Sequence, residues 1–159
     1  IHGGQMIAYI THKNFRKKSI RLKKLIDIEE KTKCNEIKYY KKFAKKIIKV
    51  RERNISFLKK CENQKKIVYG MGAPVKGNTL LNFFKIKKKQ IPVLLEKNPL
   101  RDGLFSPGSH IPIMLEKNMI KYPDVFYVLA WNFKSEILKK NKFLIKKGVK
   151  FYFPIKVND

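Results

Sequence analysis

The 159-residue sequence has few cysteines, few acidic residues and no long apolar run, and each scarcity excludes a class of protein. Neither of its two cysteines, Cys34 and Cys61, has a second Cys or a His at the two-to-four-residue spacing typical of zinc ligands. A metal site in this segment is therefore unsupported. Unpaired thiols fit a reducing compartment, and no run of about 18 apolar residues or signal-peptide pattern is present, so we expect a cytoplasmic protein without membrane association.

The charge balance is strongly one-sided, with 12 acidic against 38 basic residues and a formal net charge of +26. Such a field attracts phosphates and anionic surfaces, which makes nucleic acid the obvious partner to consider. The basic residues are, however, 33 Lys and only 5 Arg, and they are spread along the chain. Because Arg is the residue that reads bases and grips phosphates with two donors, we expect solvated helix surfaces and not specific nucleic-acid binding.

The spacing of apolar residues predicts a change from helix to alternating elements along the chain. Residues 1–28 are predicted to be a junction of strand and loop, with a strand over Met6 to Thr11. Residues 29–62 repeat apolar side chains at three- and four-residue steps, which predicts a long amphipathic helix broken near Asn54. Residues 63–159 are predicted to be an α/β core, with strands at 66–69, 91–95, 125–130 and 149–153 and helices at 77–84 and 134–147.

Continuous apolar strands that alternate with helices indicate a parallel sheet covered on both faces. We therefore predict a Rossmann-like, open, mostly parallel sheet of about five strands, preceded by the long helix, within a single domain over 1–159. The chain begins inside what reads as a motif, so we expect it to be part of a longer protein.

A glycine-rich turn follows the first predicted core strand and leads into a helix: Gly70-Met71-Gly72-Ala73-Pro74-Val75-Lys76-Gly77. Such a turn lets the backbone approach a phosphate, and the helix amino terminus offers free N–H groups. The spacing matches neither the dinucleotide fingerprint nor the P-loop, so a plain tight turn stays an alternative. Glu96 ends the next strand, where an acid would meet ribose hydroxyls or simply lie in a solvated loop.

Three further groups of residues are candidates for chemistry. The loop around His110 follows a parallel strand, where open α/β folds place their ligands, although a loop His between Pro and Gly is commonly structural. Trp131 and Asn132 follow another strand, and Asn132 is also a candidate helix cap. His2 precedes two glycines and has a pKa range that suits a general base.

Taken in order and spacing, these motifs resemble the carboxy-terminal domain of S-adenosylmethionine-dependent sugar C-methyltransferases. The resemblance rests on His2-Gly3-Gly4, Gly70 to Asn82, Asn98-Pro99, Pro107 to Ile113, and Ala130 to Ile137, and spans nearly the whole chain. It implies a parent enzyme with an amino-terminal zinc domain and a central S-adenosylmethionine domain, both upstream of this chain. It also implies a nucleotide-linked keto-deoxysugar as substrate and His2 as the base that removes a proton next to the ketone.

The sequence departs from the family at Ile1 and Ile7, where the family commonly has Glu and Arg. We expect this segment to be the substrate-side domain and to be inactive alone, with S-adenosylmethionine bound by the upstream domain. The residues that we expect to bind substrate are Gly70, Gly72, Ala73, Pro74, Lys76, Gly77, Asn78, Thr79, Asn98, Pro107, Gly108, His110, Trp131 and Asn132. A non-catalytic nucleotide-binding or regulatory module remains the alternative, and a basic nucleic-acid-binding protein a third.

Overall fold

The computed structural model describes residues 6–156, and its chain divides into two compact units at Lys46 and Ile47. The first unit contains helix α1, Ile20–Thr32, and the start of helix α2, Ile37–Asn63. Ser19 caps α1 by accepting a hydrogen bond from the Leu22 N–H at 3.2 Å. The strand predicted over 6–11 is wrong: these residues are exposed, and no neighbouring strand in the described range supplies a hydrogen-bonding partner.

Helix α2 is one uninterrupted element, so the break predicted near Asn54 is wrong. The side chain of Asn54 is buried, and its amide donates to the Val50 carbonyl at 2.7 Å. This bond returns to the preceding helical turn, so the polar side chain is satisfied without interrupting the helix. The helix predicted to begin at residue 29 instead falls into α1 and α2, separated by a turn in which Lys33 adopts a left-handed conformation.

The second unit is built on a five-stranded sheet in which all neighbouring strands are parallel, in the order β3-β2-β1-β4-β5. Its strands are β1 Val68–Met71, β2 Leu94–Glu96, β3 Ile113–Leu115, β4 Val125–Val128 and β5 Lys150–Tyr152. The predicted α/β class and parallel sheet are confirmed. This is the order of doubly wound folds, in which the direction of winding reverses between β1 and β4 and leaves a crevice at their carboxyl ends.

Alternate side chains of each strand point to opposite sides of the sheet, so both faces carry apolar side chains. Helices cover each of these faces. On one face, Tyr127 packs in a core with residues of α2 from Val50 onward and of helix α3, Val75–Phe84. On the other face, Phe126 packs with Leu144 of helix α5. Helices α4, Lys134–Lys140, and α5, Lys142–Lys146, replace the single helix predicted over 134–147.

The connections on either side of β3 contain no α-helix. Residues 97–112 carry the chain from β2 to β3, and residues 116–124 carry it to β4, with only short 3-10 turns in each. Strand β3 itself was not predicted, because it lies in a segment rich in proline and glycine. Beside these connections a cavity of about 520 Å³ opens toward the face of Phe126 and Leu144.

Candidate functional site

The carboxyl ends of β1 and β4 lie side by side, and the glycine turn, defined here as Gly72–Pro74, closes over them. Gly72 has a φ of +82°, a conformation that L side chains rarely adopt. A Cβ on Gly72 would lie 3.3 Å from the Cβ of Ala130, the second residue after the end of β4. Glycine is therefore required here by both the backbone conformation and the closeness of the neighbouring loop.

Helix α3 begins directly after the glycine turn and packs tightly over the end of β4. A Cβ on Gly77 would lie 2.8 Å from the Cβ of Leu129, so the small residue brings the helix amino terminus close to the sheet. Pro74 is the N-cap and makes no side-chain capping bond, so no side chain caps the amino end of α3. An open helix amino terminus attracts anions through its N–H groups and its dipole.

Three polar residues of α3 that were predicted as substrate contacts differ in their surroundings. Lys76 is exposed, and Thr79 donates its hydroxyl to the Val75 carbonyl at 3.3 Å. The side-chain oxygen of Asn78 is enclosed but accepts no hydrogen bond from any described residue. Enclosed polar atoms normally have a partner, so this oxygen is an exception among the described residues.

Glu96 holds the glycine turn from the end of β2. Its Oε2 accepts hydrogen bonds from the Ala73 N–H at 3.0 Å and from Arg101 Nη1 at 3.2 Å. Its Oε1 accepts from the backbone N–H groups of Lys97 at 2.8 Å and Asn98 at 3.4 Å. A carboxylate has about four acceptor positions, and these four contacts occupy them. Glu96 therefore anchors the glycine turn and does not make the ribose contact that was considered from the sequence.

The electrostatics of Glu96 follow from these contacts. Burial by itself raises the pKa of its carboxyl, but the backbone N–H groups of Lys97, Ala73 and Asn98, together with the Arg101 guanidinium, outweigh burial and hold the pKa below its usual range. Glu96 is therefore ionised at neutral pH. Its side chain is 16% exposed and its partner Arg101 is 39% exposed, so water screens the pair only in part.

Arg101 was not recognised from the sequence as a site residue. Its Nη1 donates to the Ala73 carbonyl at 2.6 Å as well as to Glu96. Arg101 ends a 3-10 turn, Pro99–Arg101, that the Asn98 side chain caps by accepting from the Leu100 N–H at 3.1 Å. Asn98 thus shapes the segment that delivers Arg101, and direct contact of Asn98 with substrate stays a prediction.

Trp131 and Asn132 lie in a 3-10 turn, Trp131–Phe133, that follows β4 on the glycine-turn side of the sheet. Trp131 is half-buried and Asn132 is exposed. The N-cap of this turn is Ala130 and that of α4 is Phe133, so the prediction of Asn132 as the helix cap is wrong. The 3-10 turn runs directly into α4, so Asn132 lies inside the turn and the following residue takes the N-cap position. Substrate contact by Trp131 and Asn132 stays a prediction.

The loop that contains His110 lies at a different place from the glycine turn. Residues 103–113 form a hairpin beside β3, in which Leu104 accepts from the Ile113 N–H at 2.8 Å and Phe105 pairs with Pro112. Asp102 Oδ1 accepts from the Leu115 N–H at 2.9 Å, so the chain leaves the carboxyl edge there. Leu104 pairs with Ile113, the first residue of β3, so the tip of the hairpin beyond this pair lies toward the amino edge of the sheet.

The tip of this hairpin is fixed to the later part of α3 and to the segment after it. The Asn82 amide donates to the Pro107 carbonyl at 3.0 Å, and Lys87 Nζ donates to the Gly108 carbonyl at 2.6 Å. His110 is exposed and has a φ of +53°, and its N–H donates to the Ser106 carbonyl at 2.9 Å. The structure thus does not bring Pro107, Gly108 and His110 together with the glycine turn, and their binding role stays a prediction.

The remaining predicted site residues are Gly70 and His2. Gly70 is buried within β1, and a Cβ at this position would collide with the Leu94 side chain, so close packing between β1 and β2 accounts for this glycine. His2, the predicted base, lies outside the described residues 6–156. Within those residues no group of three or more His, Cys, Asp or Glu could hold a metal ion, and no helix is long and apolar enough to cross a membrane.

The chain is similar to known C-methyltransferases over most of its length. A family model described as C-methyltransferase C-terminal domain matches residues 1–156. Over 117 residues, 73% of this chain, the sequence is 32% identical to C-methyltransferase NovU from Streptomyces niveus. The aligned part is 28% of the length of NovU, so the match spans less than one third of that enzyme.

Proposed function

This chain belongs to the C-methyltransferase C-terminal domain family, and we propose from that premise that it is the substrate-side domain of an S-adenosylmethionine-dependent C-methyltransferase. The proposed substrate is a nucleotide-linked keto-deoxysugar. The reaction would remove a proton from the carbon next to the ketone and transfer a methyl group to that carbon. Its proposed partners are the nucleotide sugar and an upstream methyl-donor domain of the same polypeptide, in the cytoplasm, where the free Cys34 and Cys61 fit a reducing environment.

The observation that carries this proposal is the arrangement at the carboxyl edge of the sheet. The glycine turn, the uncapped amino terminus of α3 and the turn at Trp131 meet where doubly wound folds bind ligands. N–H groups and the dipole of α3 suit the diphosphate of a nucleotide sugar, and exposed Lys76 adds a positive charge on the same first turn. Half-buried Trp131 offers an aromatic surface for a sugar or base.

We propose that His2 is the base that removes the proton next to the ketone. An imidazole near its ordinary pKa can accept a proton at neutral pH, and its efficiency depends on being held within hydrogen-bond reach of the acidic carbon. The enolate that forms would need donors aimed at its oxygen, which is the usual way that enzymes stabilise such charge. Among the predicted contacts, Lys76 and Asn132 carry side-chain donors of the required kind.

The described residues do not offer S-adenosylmethionine the ribose-binding carboxylate that a dinucleotide-binding fold offers its cofactor. Such a fold holds the cofactor ribose with the acid that ends β2, and here the carboxylate of Glu96 is filled by Ala73, Lys97, Asn98 and Arg101. S-adenosylmethionine supplies the methyl group in this class of reaction. We therefore propose that it is bound by a part of the enzyme outside this chain, and we assign no step of its chemistry to residues described here.

Substrate binding at the turn can be tested by following backbone amide resonances of the 159-residue chain during titration with a thymidine diphosphate deoxysugar. We expect the resonances of Gly72, Ala73 and Gly77 to move, and Lys76→Ala to weaken binding. Lys88→Ala is the matched control, because it removes the same charge from an exposed position after the other end of α3. Unmoved turn resonances, or equal effects of the two variants, would contradict the proposed site.

A further inference from the structure

We propose that Glu96 and Arg101 are positioning residues that hold the glycine turn in its binding conformation before the nucleotide sugar arrives. This inference rests on the proposed function. The two side chains are called the Glu96–Arg101 clamp below. Neither needs to touch the substrate, because both act on the backbone of Ala73 at the centre of the turn.

The clamp forms hydrogen bonds with both backbone groups of Ala73, the N–H and the carbonyl. Glu96 Oε2 accepts from the Ala73 N–H at 3.0 Å, and Arg101 Nη1 donates to the Ala73 carbonyl at 2.6 Å. The same Arg101 nitrogen also donates to Glu96 Oε2 at 3.2 Å, which closes a ring of three contacts. Bonds on both sides of one residue fix its orientation, whereas a single bond would allow the peptide to pivot.

The position of Ala73 explains why such a grip is useful. It follows Gly72, whose φ of +82° lies in a region that glycine alone visits easily, and glycine also has the greatest conformational freedom to lose. Ala73 is followed by Pro74, the N-cap of α3, which supplies no capping side chain. Pro74 restricts its own φ and the conformation of Ala73, and the Gly72 N–H donates to the Leu95 carbonyl at 2.7 Å. The clamp adds to these restraints by fixing the orientation of the two Ala73 peptide groups.

The charges of the clamp compensate each other. Glu96 carries a negative charge beside a turn proposed to bind a diphosphate, and an isolated carboxylate there would repel it. Arg101 supplies the opposite charge at 3.2 Å, so the pair adds no net charge to the site. The clamp therefore contributes geometry, while the positive potential comes from the amino terminus of α3 and from Lys76.

Two variants of Arg101 separate positioning from general stability. Arg101→Met removes the Nη1 that donates to both Ala73 and Glu96, at a side chain that is 39% exposed, so the fold should persist. Arg101→Lys keeps a positive donor and should restore the grip. Glu116→Gln is the matched control, because Glu116 follows β3 as Glu96 ends β2 and pairs with Lys97 at 3.6 Å. Glu96→Met tests the other half of the clamp, because it removes the acceptor of the Ala73 N–H, and it replaces Arg101→Met if that variant fails to fold.

The experiment measures two quantities on the 159-residue chain: hydrogen exchange of the Ala73 amide without ligand, and the dissociation constant for a thymidine diphosphate deoxysugar by calorimetry. Pre-ordering a few residues is worth on the order of a 10-fold change in affinity. We expect Arg101→Met to speed exchange at Ala73 and to weaken binding by at least that factor, since it also leaves the Glu96 charge uncompensated. Arg101→Lys should recover most of both, and Glu116→Gln should change neither. Glu96→Met removes a negative charge, so weaker binding by that variant would reflect positioning alone.

Either of two results would overturn the inference. Unchanged exchange at Ala73 in both Arg101→Met and Glu96→Met would show that the clamp does not hold the turn. Faster exchange with unchanged affinity would show that holding the turn does not serve binding. If the unsubstituted chain binds no nucleotide sugar, the proposed function fails by itself, while the exchange measurement still decides whether the clamp orders the turn.

Discussion

Tyr127→Phe is the substitution whose effect follows most directly from the core of the second unit. Tyr127 lies in β4 and is completely buried, and its hydroxyl donates to Asn54 Oδ1 at 2.7 Å. The amide of Asn54 in turn donates to the carbonyls of Val50 at 2.7 Å and Pro154 at 3.0 Å. A single polar network thus joins α2, the sheet and the segment after β5.

The expected loss of unfolding free energy in Tyr127→Phe comes from the acceptor atom that loses its donor. Phe keeps the ring and its packing but removes the donor, so Asn54 Oδ1 remains buried without the Tyr127 hydroxyl. Leaving a buried acceptor unsatisfied costs about 1–3 kcal/mol, more than the net value of an ordinary hydrogen bond. For a chain of this size, that loss lowers the melting temperature by roughly 2–12 °C.

Urea unfolding followed by far-ultraviolet circular dichroism measures this loss. The control is Tyr122→Phe, because the Tyr122 side chain is 46% exposed and its removal of a hydroxyl should change stability by less than about 0.5 kcal/mol. Burial raises the pKa of the Tyr127 hydroxyl, so it stays a protonated donor and the difference between the variants should not depend on pH near neutrality. Equal unfolding free energies for Tyr127→Phe and Tyr122→Phe would refute the importance of this network.

Three further outcomes follow from the structure. Gly77→Ala should lower the unfolding free energy by about 1–3 kcal/mol in a urea titration, because its Cβ would lie 2.8 Å from the Cβ of Leu129; an unchanged free energy would contradict the close packing of α3. Since the pKa of Glu96 is lowered in the fold, its ionised form stabilises the protein above the ordinary glutamate pKa. That stability is lost as pH falls through the lowered value, so Glu96→Gln should flatten the acid side of a stability–pH curve, and a parallel curve would argue against it. A thiol reagent should label half-buried Cys34 before buried Cys61, whose pKa burial raises, and a mass spectrum after partial labelling shows the order; simultaneous labelling would contradict the packing of α2.

The sheet could be predicted because its central strands are nearly continuous apolar runs. Val125–Val128 is buried on both faces, which is the condition that makes a strand uniformly apolar and its sheet parallel. Strand β3 escaped prediction because Ile113–Leu115 directly follows Pro112 in a segment rich in proline and glycine. Its pairing with β2 joins residues far apart in the sequence, such as Leu94 and Ile113, and local spacing does not record such pairs.

The candidate site was predictable only in part. Gly72 and Gly77 were recognisable because closely spaced glycines between a predicted strand and a predicted helix indicate a tight turn. Arg101 was missed because its role depends on a bond to Ala73, 28 positions earlier in the chain. His110 was expected beside the glycine turn because it follows a strand, but the chain must return toward the amino edge before a parallel β3 can begin, and that return carries His110 away.

The measurement that tests the central claim most directly is calorimetric titration of the chain with a thymidine diphosphate deoxysugar and, separately, with S-adenosylmethionine at moderate salt. The account predicts that the nucleotide sugar binds and that S-adenosylmethionine does not, because the acid ending β2 is already filled by the glycine turn and Arg101. Binding of S-adenosylmethionine without binding of the nucleotide sugar would place the methyl donor on this domain and contradict the assignment of the substrate side.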